Sequence, residues 1–215
     1  TSMTRMFSEA SSFNQNLASW NVAKVTTMDF MFNQATSFNQ DLASWDVSGV
    51  INMHGMFRRA TNFNKELASW NVGQVTNMRA MFQDASSFNH DLSSWNVGQV
   101  QNMREMFEGA SSFNQNISSW NVGKVVHMHS MFMGASSFNQ DLASWDVSKV
   151  TSMVSVQYYS IFIVCTSLVL FLLIYICPYN DCVFFNQQTM FLEATSFNQN
   201  LSSWDIGSVQ NMVSV

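Results

Sequence analysis

The chain has 215 residues, of which 47% are hydrophobic and 11% are charged, and its formal net charge is −5. Charged residues usually make up about a quarter of a globular protein, so this weakly and negatively charged chain is a poor candidate for binding the phosphate backbone of a nucleic acid. Its high hydrophobic content also argues against disorder, and we expect a folded protein without a nucleic-acid partner.

The tryptophans indicate that the chain is built from copies of one 25-residue unit. Six of them recur at this interval, and the seventh follows after a longer one: Trp20, Trp45, Trp70, Trp95, Trp120, Trp145 and Trp204. The residues around each tryptophan repeat as well, beginning with "SFNQNLASWNVAKVTTMDFMFNQAT". A fixed period of this length is typical of proteins in which one unit stacks on copies of itself.

Each repeat contains two apolar patterns. Trp20 and Val22 alternate with polar residues, which favours a short strand with one buried face. Further along come Met28, Met31, Phe32 and Ala35. Their spacing of i, i+3, i+4 and i+7 predicts a helix, and the polar residue before the first Met suits a helix N-cap.

A strand, a turn and a helix within one such repeat cannot bury their apolar faces alone, but stacked copies can. We therefore predict an α/β solenoid of about seven strand-turn-helix repeats, interrupted by one hydrophobic insertion. The column of asparagines that runs from Asn14 to Asn198 is expected to hydrogen-bond neighbouring coils as a ladder.

The repeat resembles a known family of surface-protein repeats. Five copies, from that of Trp20 to that of Trp120, read W-(D/N)-V-x-x-V-x-x-M-x-x-M-F-x-x-A-x-x-F-N, which is similar to the BspA-type leucine-rich-repeat unit of bacterial and mycoplasmal surface proteins. This resemblance implies a solenoid like that of leucine-rich repeats and a role in adhesion or protein recognition at the cell surface. It implies no catalytic residue.

One segment departs from the repeat. Residues 161–177, "IFIVCTSLVLFLLIYIC", carry no charge, and tyrosines flank them. Taken alone, residues 158–179 are a candidate transmembrane helix at the short end of the usual range. A membrane-anchored protein is therefore one interpretation.

The repeat register favours another interpretation. Removal of residues 154–187 joins Met153 to Gln188 and restores a 25-residue copy. The string "MVSV" stands at the same point of its repeat at 153–156 and at 212–215, and its codons can encode a splice donor. We favour a translated intron over a transmembrane insertion or a buried hydrophobic hairpin. The chain then divides into solenoid repeats at 1–153, the insertion at 154–187, and further solenoid repeats at 188–215.

No set of residues indicates catalysis, a cofactor or a metal site. His54 and His129 occupy the same position three coils apart, too far for one metal ion, and together with His90 and His127 they are predicted to lie exposed on helix surfaces. Two columns contain stacked carboxylates that could bind calcium, although asparagines replace some of them and favour a capping role: Asp41, Glu66, Asp91 and Asp141, and Asp46, Asp146 and Asp205.

The expected function is therefore a non-catalytic recognition or adhesion repeat at the cell surface or outside the cell, within a longer array. The ligand would be a protein or another cell-surface molecule, and the membrane would be a partner only if residues 158–179 remain in the mature chain. Two alternatives stay open: a membrane-anchored receptor-like protein and an intracellular interaction scaffold. Sequence varies between copies on the outer side of the predicted helix, for example at Asp29 and Gln34.

Overall fold

The computed structural model describes residues 1–151 and 190–209. Within these ranges the chain contains turns and isolated bridges but no α-helix and no extended strand. The β-structure found there consists of isolated parallel bridges, each joining residues at equivalent positions of consecutive repeats: Ser2 with Thr27, Thr27 with Asn52, Asn52 with Asn77, Asn77 with Asn102, and Asn102 with His127. The described chain is thus a stack of coils, one per repeat, that lie parallel to one another.

Two kinds of backbone hydrogen bond alternate where a helix was predicted. The amides of Phe30 and Phe32 donate to the carbonyls of His54 and Met56 in the next coil, each at 2.8 Å. The amides between them instead close short turns within the coil, and that of Met31 donates to the carbonyl of Met28 at 3.2 Å. Every second amide therefore joins two coils.

The predicted α/β solenoid is wrong, because neighbouring coils are too close for helices. An α-helix is about 10 Å wide with its side chains and bonds each amide four residues back, whereas the rings of Phe32 and Phe57 in adjacent coils are 5.6 Å apart. The predicted strand is wrong as well. The amide of Trp45 donates to Leu42 in a tight turn at 3.0 Å, and the parallel bridges lie at the column of Thr27, where we expected helix N-caps.

The predicted inward-facing residues are confirmed except for Trp20, which is 38% exposed although its equivalents in the next five coils are buried. Met28, Met31, Phe32 and Ala35 are fully buried, as are their equivalents in the next four coils. Like side chains stack along the core, and the rings of Trp45 and Trp70 lie 6.5 Å apart. Burying each large apolar side chain stabilises the fold by about 1.5–3 kcal/mol, so the aligned columns replace regular secondary structure as the main source of order.

The asparagine ladder is also confirmed. The amide of Asn39 donates to Oδ1 of Asn14 at 2.9 Å, and the amide of Asn64 donates to Oδ1 of Asn39 at 3.0 Å. The tryptophans add a second tie between coils, since Nε1 of Trp70 donates to the carbonyl of Leu42 at 2.9 Å. These side chains satisfy backbone groups that the absence of strand ladders would otherwise leave unpaired.

The stack continues on the far side of the predicted insertion. The amide of Phe132 donates to the carbonyl of Met190 at 3.0 Å, and the rings of Phe138 and Phe197 lie 6.1 Å apart. Phe138 and Phe197 are separated by one repeat period plus the length of the segment 154–187, so residues 190–209 form the next coil in register. The predicted membrane segment 158–179, the rest of 154–187 and both "MVSV" strings lie outside the described residues. Among the residues that are described, no helix is long and apolar enough to cross a membrane.

Candidate recognition surface

One side of the stack carries the side chains that differ most between coils. We define the variable face as the four columns that begin, in the first full repeat, with Asp29, Phe30, Asn33 and Gln34. All five arginines of the chain occupy these columns, either directly or one period earlier: Arg5, Arg58, Arg59, Arg79 and Arg104. The sequence predicted this variability, and the turns that replace the predicted helix hold the four columns next to one another.

The variable face is more buried than a helix surface would be. His54 is half-buried and His129 is only 5% exposed, so the prediction that both lie exposed is wrong. The cause is the short distance between coils, which places each side chain of a column against its neighbours. Arg79 and Arg104 separate the two histidines in their column, and no group of three His, Cys, Asp or Glu residues in 1–151 or 190–209 could hold a metal ion.

Glu105 lies at the centre of the basic part of the face. Arg79 holds its carboxylate with a forked contact: Nε is 3.3 Å from Oε2, and Nη2 is 3.2 Å from Oε2 and 3.4 Å from Oε1. Two further cationic or polar groups approach the same Oε1 without reaching hydrogen-bond distance, namely Nη2 of Arg104 and Nε2 of His129, each at 3.8 Å.

Arg104 and His129 carry polar atoms that have no hydrogen-bond partner within the described chain. These atoms are Nε of Arg104 and both ring nitrogens of His129. Burial, followed by the positive charges of Arg104 and Arg79, lowers the pKa of His129 to about 3, so its ring is neutral at pH 7. Burial and the neighbouring charge of Arg79 lower the pKa of Arg104 as well.

A second group of charges lies beside the first. Nε of Arg58 donates to Oε1 of Gln83 at 2.6 Å, and Nε of Arg59 contacts Oδ2 of Asp84 at 3.3 Å. Burial raises the pKa of Glu108 to about 7, and the negative charges of Glu105 and Asp84 act in the same direction. The face therefore mixes both signs of charge instead of forming one basic patch.

The turns give the variable face a backbone that the sequence did not predict. Phe30, Ala80 and Glu105 occupy one column with φ between 51° and 58°, in the left-handed region. Gly55 lies in this column with φ of 59°, and a Cβ there would come within 2.5 Å of the Phe30 ring. That ring packs against the His54 ring, with 4.4 Å between their centroids. In the sequence, Gly55 signals this backbone, because glycine is unfavourable inside the predicted helix but adopts a positive φ without strain.

The acidic columns cap turns, as the asparagines among them indicated. Oδ1 of Asp41 accepts a hydrogen bond from the amide of Ala43 at 2.8 Å. Oδ1 of Asp46 accepts one from the hydroxyl of Ser48 at 2.6 Å, and this bond lowers the pKa of Asp46. Asn16 and Asn21 make the same amide contacts in their coil, which explains why Asp and Asn interchange.

The comparisons with known proteins agree with the repeat organisation. A family model described as "Mycoplasma protein of unknown function, DUF285" matches residues 1–93, 66–160 and 178–215. The first two matches overlap, and the three together leave out residues 161–177, the uncharged run. No curated protein and no solved structure matches the chain.

Proposed function

We propose that this chain, which belongs to the DUF285 family, is a non-catalytic recognition or adhesion repeat protein of the cell surface. The surface role follows from the resemblance of its W-(D/N)-V repeat to BspA-type repeats. The expected ligand is a protein or another cell-surface molecule.

The observation that carries the proposal is the separation of constant and variable side chains. The core columns and the asparagine ladder repeat nearly unchanged, whereas the column of Asp29 continues with His54, Arg79, Arg104 and His129. A rigid scaffold with side chains that change along one face can present a specific pattern to a partner. Arginine is also enriched in protein interfaces, and every arginine of this chain lies on the variable face.

The hydrophobic run 161–177 favours a second candidate, a membrane-anchored receptor-like protein, provided that this segment remains in the mature chain. An intracellular scaffold would use the same variable face with a different location. Protease added to intact source cells distinguishes these cases, because a surface protein is cleaved and an intracellular one is protected. Retention in the membrane fraction after a salt wash indicates the anchored form.

The recognition role is tested with two charge-matched triple variants. Arg59→Gln, Arg79→Gln and Arg104→Gln together change the variable face, whereas Lys65→Gln, Lys124→Gln and Lys149→Gln remove the same charge elsewhere. Labelled protein is applied to intact cells and to immobilised cell-surface proteins. We expect the arginine variant to lose at least about tenfold in affinity, because several charged contacts would disappear, and the lysine variant to bind like the parent. Equal loss in both would overturn the proposal.

A further inference from the structure

Two short strings in the chain match the acceptor motif for N-linked sugars. They are "NIS" at 116–118 and "NLS" at 200–202, and no other Asn-x-Ser or Asn-x-Thr string occurs in the sequence. Such a motif marks a surface loop in a secreted protein, but it is short enough to arise by chance. Its use therefore depends on whether the folded chain leaves the asparagine amide exposed and free.

Both asparagines occupy the same column of the stack, and both are exposed. Oδ1 of Asn116 accepts a hydrogen bond from the amide of Ser118 at 2.9 Å, and Oδ1 of Asn200 accepts one from the amide of Ser202 at 2.9 Å. Each side chain thus caps a turn within its own coil. Nδ2 of either asparagine makes no hydrogen bond to a described residue, so the nitrogen that would carry a sugar is available.

The neighbouring coils show that the fold does not need the amide nitrogen at this position. Asp91 and Asp141 occupy the position of Asn116 in the coils before and after it. Their Oδ1 atoms accept the amides of Ser93 and Ala143, each at 2.8 Å. A carboxylate has no N–H group, so the cap requires one oxygen only. A sugar on Nδ2 leaves the side-chain oxygen in place and would therefore keep the cap.

The serine hydroxyl of the motif has no structural role either. Ala18 and Ala143 occupy the position of Ser118 in their own coils. The carbonyls of Ala18 and Ser118 accept the same bond from the next coil, from Oγ of Ser44 at 2.9 Å and from Oγ of Ser144 at 2.8 Å. Alanine at position 118 would therefore preserve the stack while removing the acceptor motif.

We propose that Asn116 and Asn200 are acceptor sites for N-linked oligosaccharide. In the transfer, Nδ2 forms a bond to C1 of the first sugar of a lipid-linked oligosaccharide. The bond from C1 to the diphosphate of that donor breaks, Nδ2 loses one proton, and the lipid diphosphate leaves. The donor belongs to the secretory pathway of nucleated cells, where a gene with spliced introns is also found. This inference therefore rests on the proposed cell-surface location and on the intron interpretation.

The test places a cleavable secretion signal before the full chain, and before a form without 154–187, and expresses both in a eukaryotic cell line. Enzymatic release of N-linked sugars in heavy-oxygen water converts each modified asparagine into a labelled aspartate, which peptide mass spectrometry locates. We expect labels at Asn116 and Asn200. Ser118→Ala should abolish the first label and leave the second. Asp91→Asn should add a third labelled position, because it completes the motif with Ser93 in the same column.

Asn16→Gln is the matched control, because Asn16 caps its turn in the same way but lacks the serine two residues later. All labels should remain in this variant. The inference is overturned if the form without 154–187 carries no label, or if the label at Asn116 survives Ser118→Ala. A full chain labelled at Asn116 alone, with both positions labelled in the shorter form, supports the sites and indicates that 154–187 spans the membrane.

The location of the chain is tested separately by protease added to intact source cells. A cleaved native chain without sugar at either asparagine refutes the acceptor sites but not the surface role. A protected native chain refutes the surface role, while labels in the secreted form still support both asparagines as acceptors.

Discussion

Glu108 is predicted to make the protein less stable as the pH rises. Its pKa increases from 4.5 to about 7 in the folded chain, first because of burial and then because of the nearby carboxylates of Glu105 and Asp84. The folded protein therefore binds a proton on Glu108 at pH values where the unfolded chain has lost it. By linkage, the free energy of unfolding falls as the pH rises from about 4.5 to 7 and then levels off.

The size of this effect follows from the pKa difference. One pKa unit corresponds to about 1.4 kcal/mol, which gives an upper limit of roughly 3 kcal/mol for Glu108. Glu108 is only half-buried, and solvent weakens charge interactions at such sites. We therefore expect a loss of about 1–2 kcal/mol between pH 5 and pH 8. Glu108→Gln should recover this amount at pH 8 and little at pH 5.

The assay is urea denaturation of the parent and Glu108→Gln at several pH values between 5 and 8. The quantity of interest is the difference between the two proteins at each pH, because the other titrating groups then cancel. Glu66→Gln, which removes an exposed carboxylate, is the control for the loss of one negative charge. A difference between the parent and Glu108→Gln that stays constant with pH would refute the burial and charge repulsion assigned to Glu108.

Three further predictions concern the scaffold. In urea denaturation, Gly55→Ala should lower the free energy of unfolding by about 2–4 kcal/mol, because the backbone there is left-handed and the new methyl group clashes with Phe30. Adding Phe30→Ala should restore part of the lost stability. Gly49→Ala is the control and should be tolerated, because a Cβ there makes only ordinary contacts at 3.5 Å. Phe82→Ala should lower the free energy of unfolding by about 3–5 kcal/mol in the same assay, because the Phe82 ring is fully buried between two other phenylalanine rings. A decrease below about 1 kcal/mol would contradict the stacked core. Deletion of residues 154–187 should leave the circular dichroism spectrum and the cooperative unfolding of the stack unchanged. Sequencing of the mature transcript across codons 153 and 190 shows whether this segment is removed naturally.

The sequence could predict which residues face inward but not the backbone that places them there. Met28, Met31, Phe32 and Ala35 have the spacing of a helix face, yet successive short turns also direct these four side chains inward. The two possibilities differ in the partner of each amide. In a helix that partner belongs to the preceding turn of the same helix, whereas the amide of Phe30 donates to His54 in the next coil. Apolar periodicity carries no information on that choice.

The variable face was predictable as a set of positions, whereas its contacts were not. Arg79 and Glu105 lie in adjacent columns of consecutive coils, and their pairing requires coils that stack directly on one another. A helix on each repeat would have separated neighbouring repeats by about 10 Å and kept these side chains apart. The same close stacking buries His129, which the sequence placed in solvent.

The scaffold explains why the variable face tolerates substitution whereas the asparagine ladder does not. In the asparagine ladder, Asn64 accepts the amide of Asn89 through Oδ1 while its own amide donates to Asn39, so one substitution there disturbs two junctions between coils. The backbone bonds of the variable face involve main-chain amides and carbonyls, which every residue except proline supplies whatever its side chain. Side chains at Arg79 or Glu105 can therefore change without breaking the bonds between coils. The stack thus keeps its geometry while the side chains of the variable face change, which is what the proposed recognition role requires.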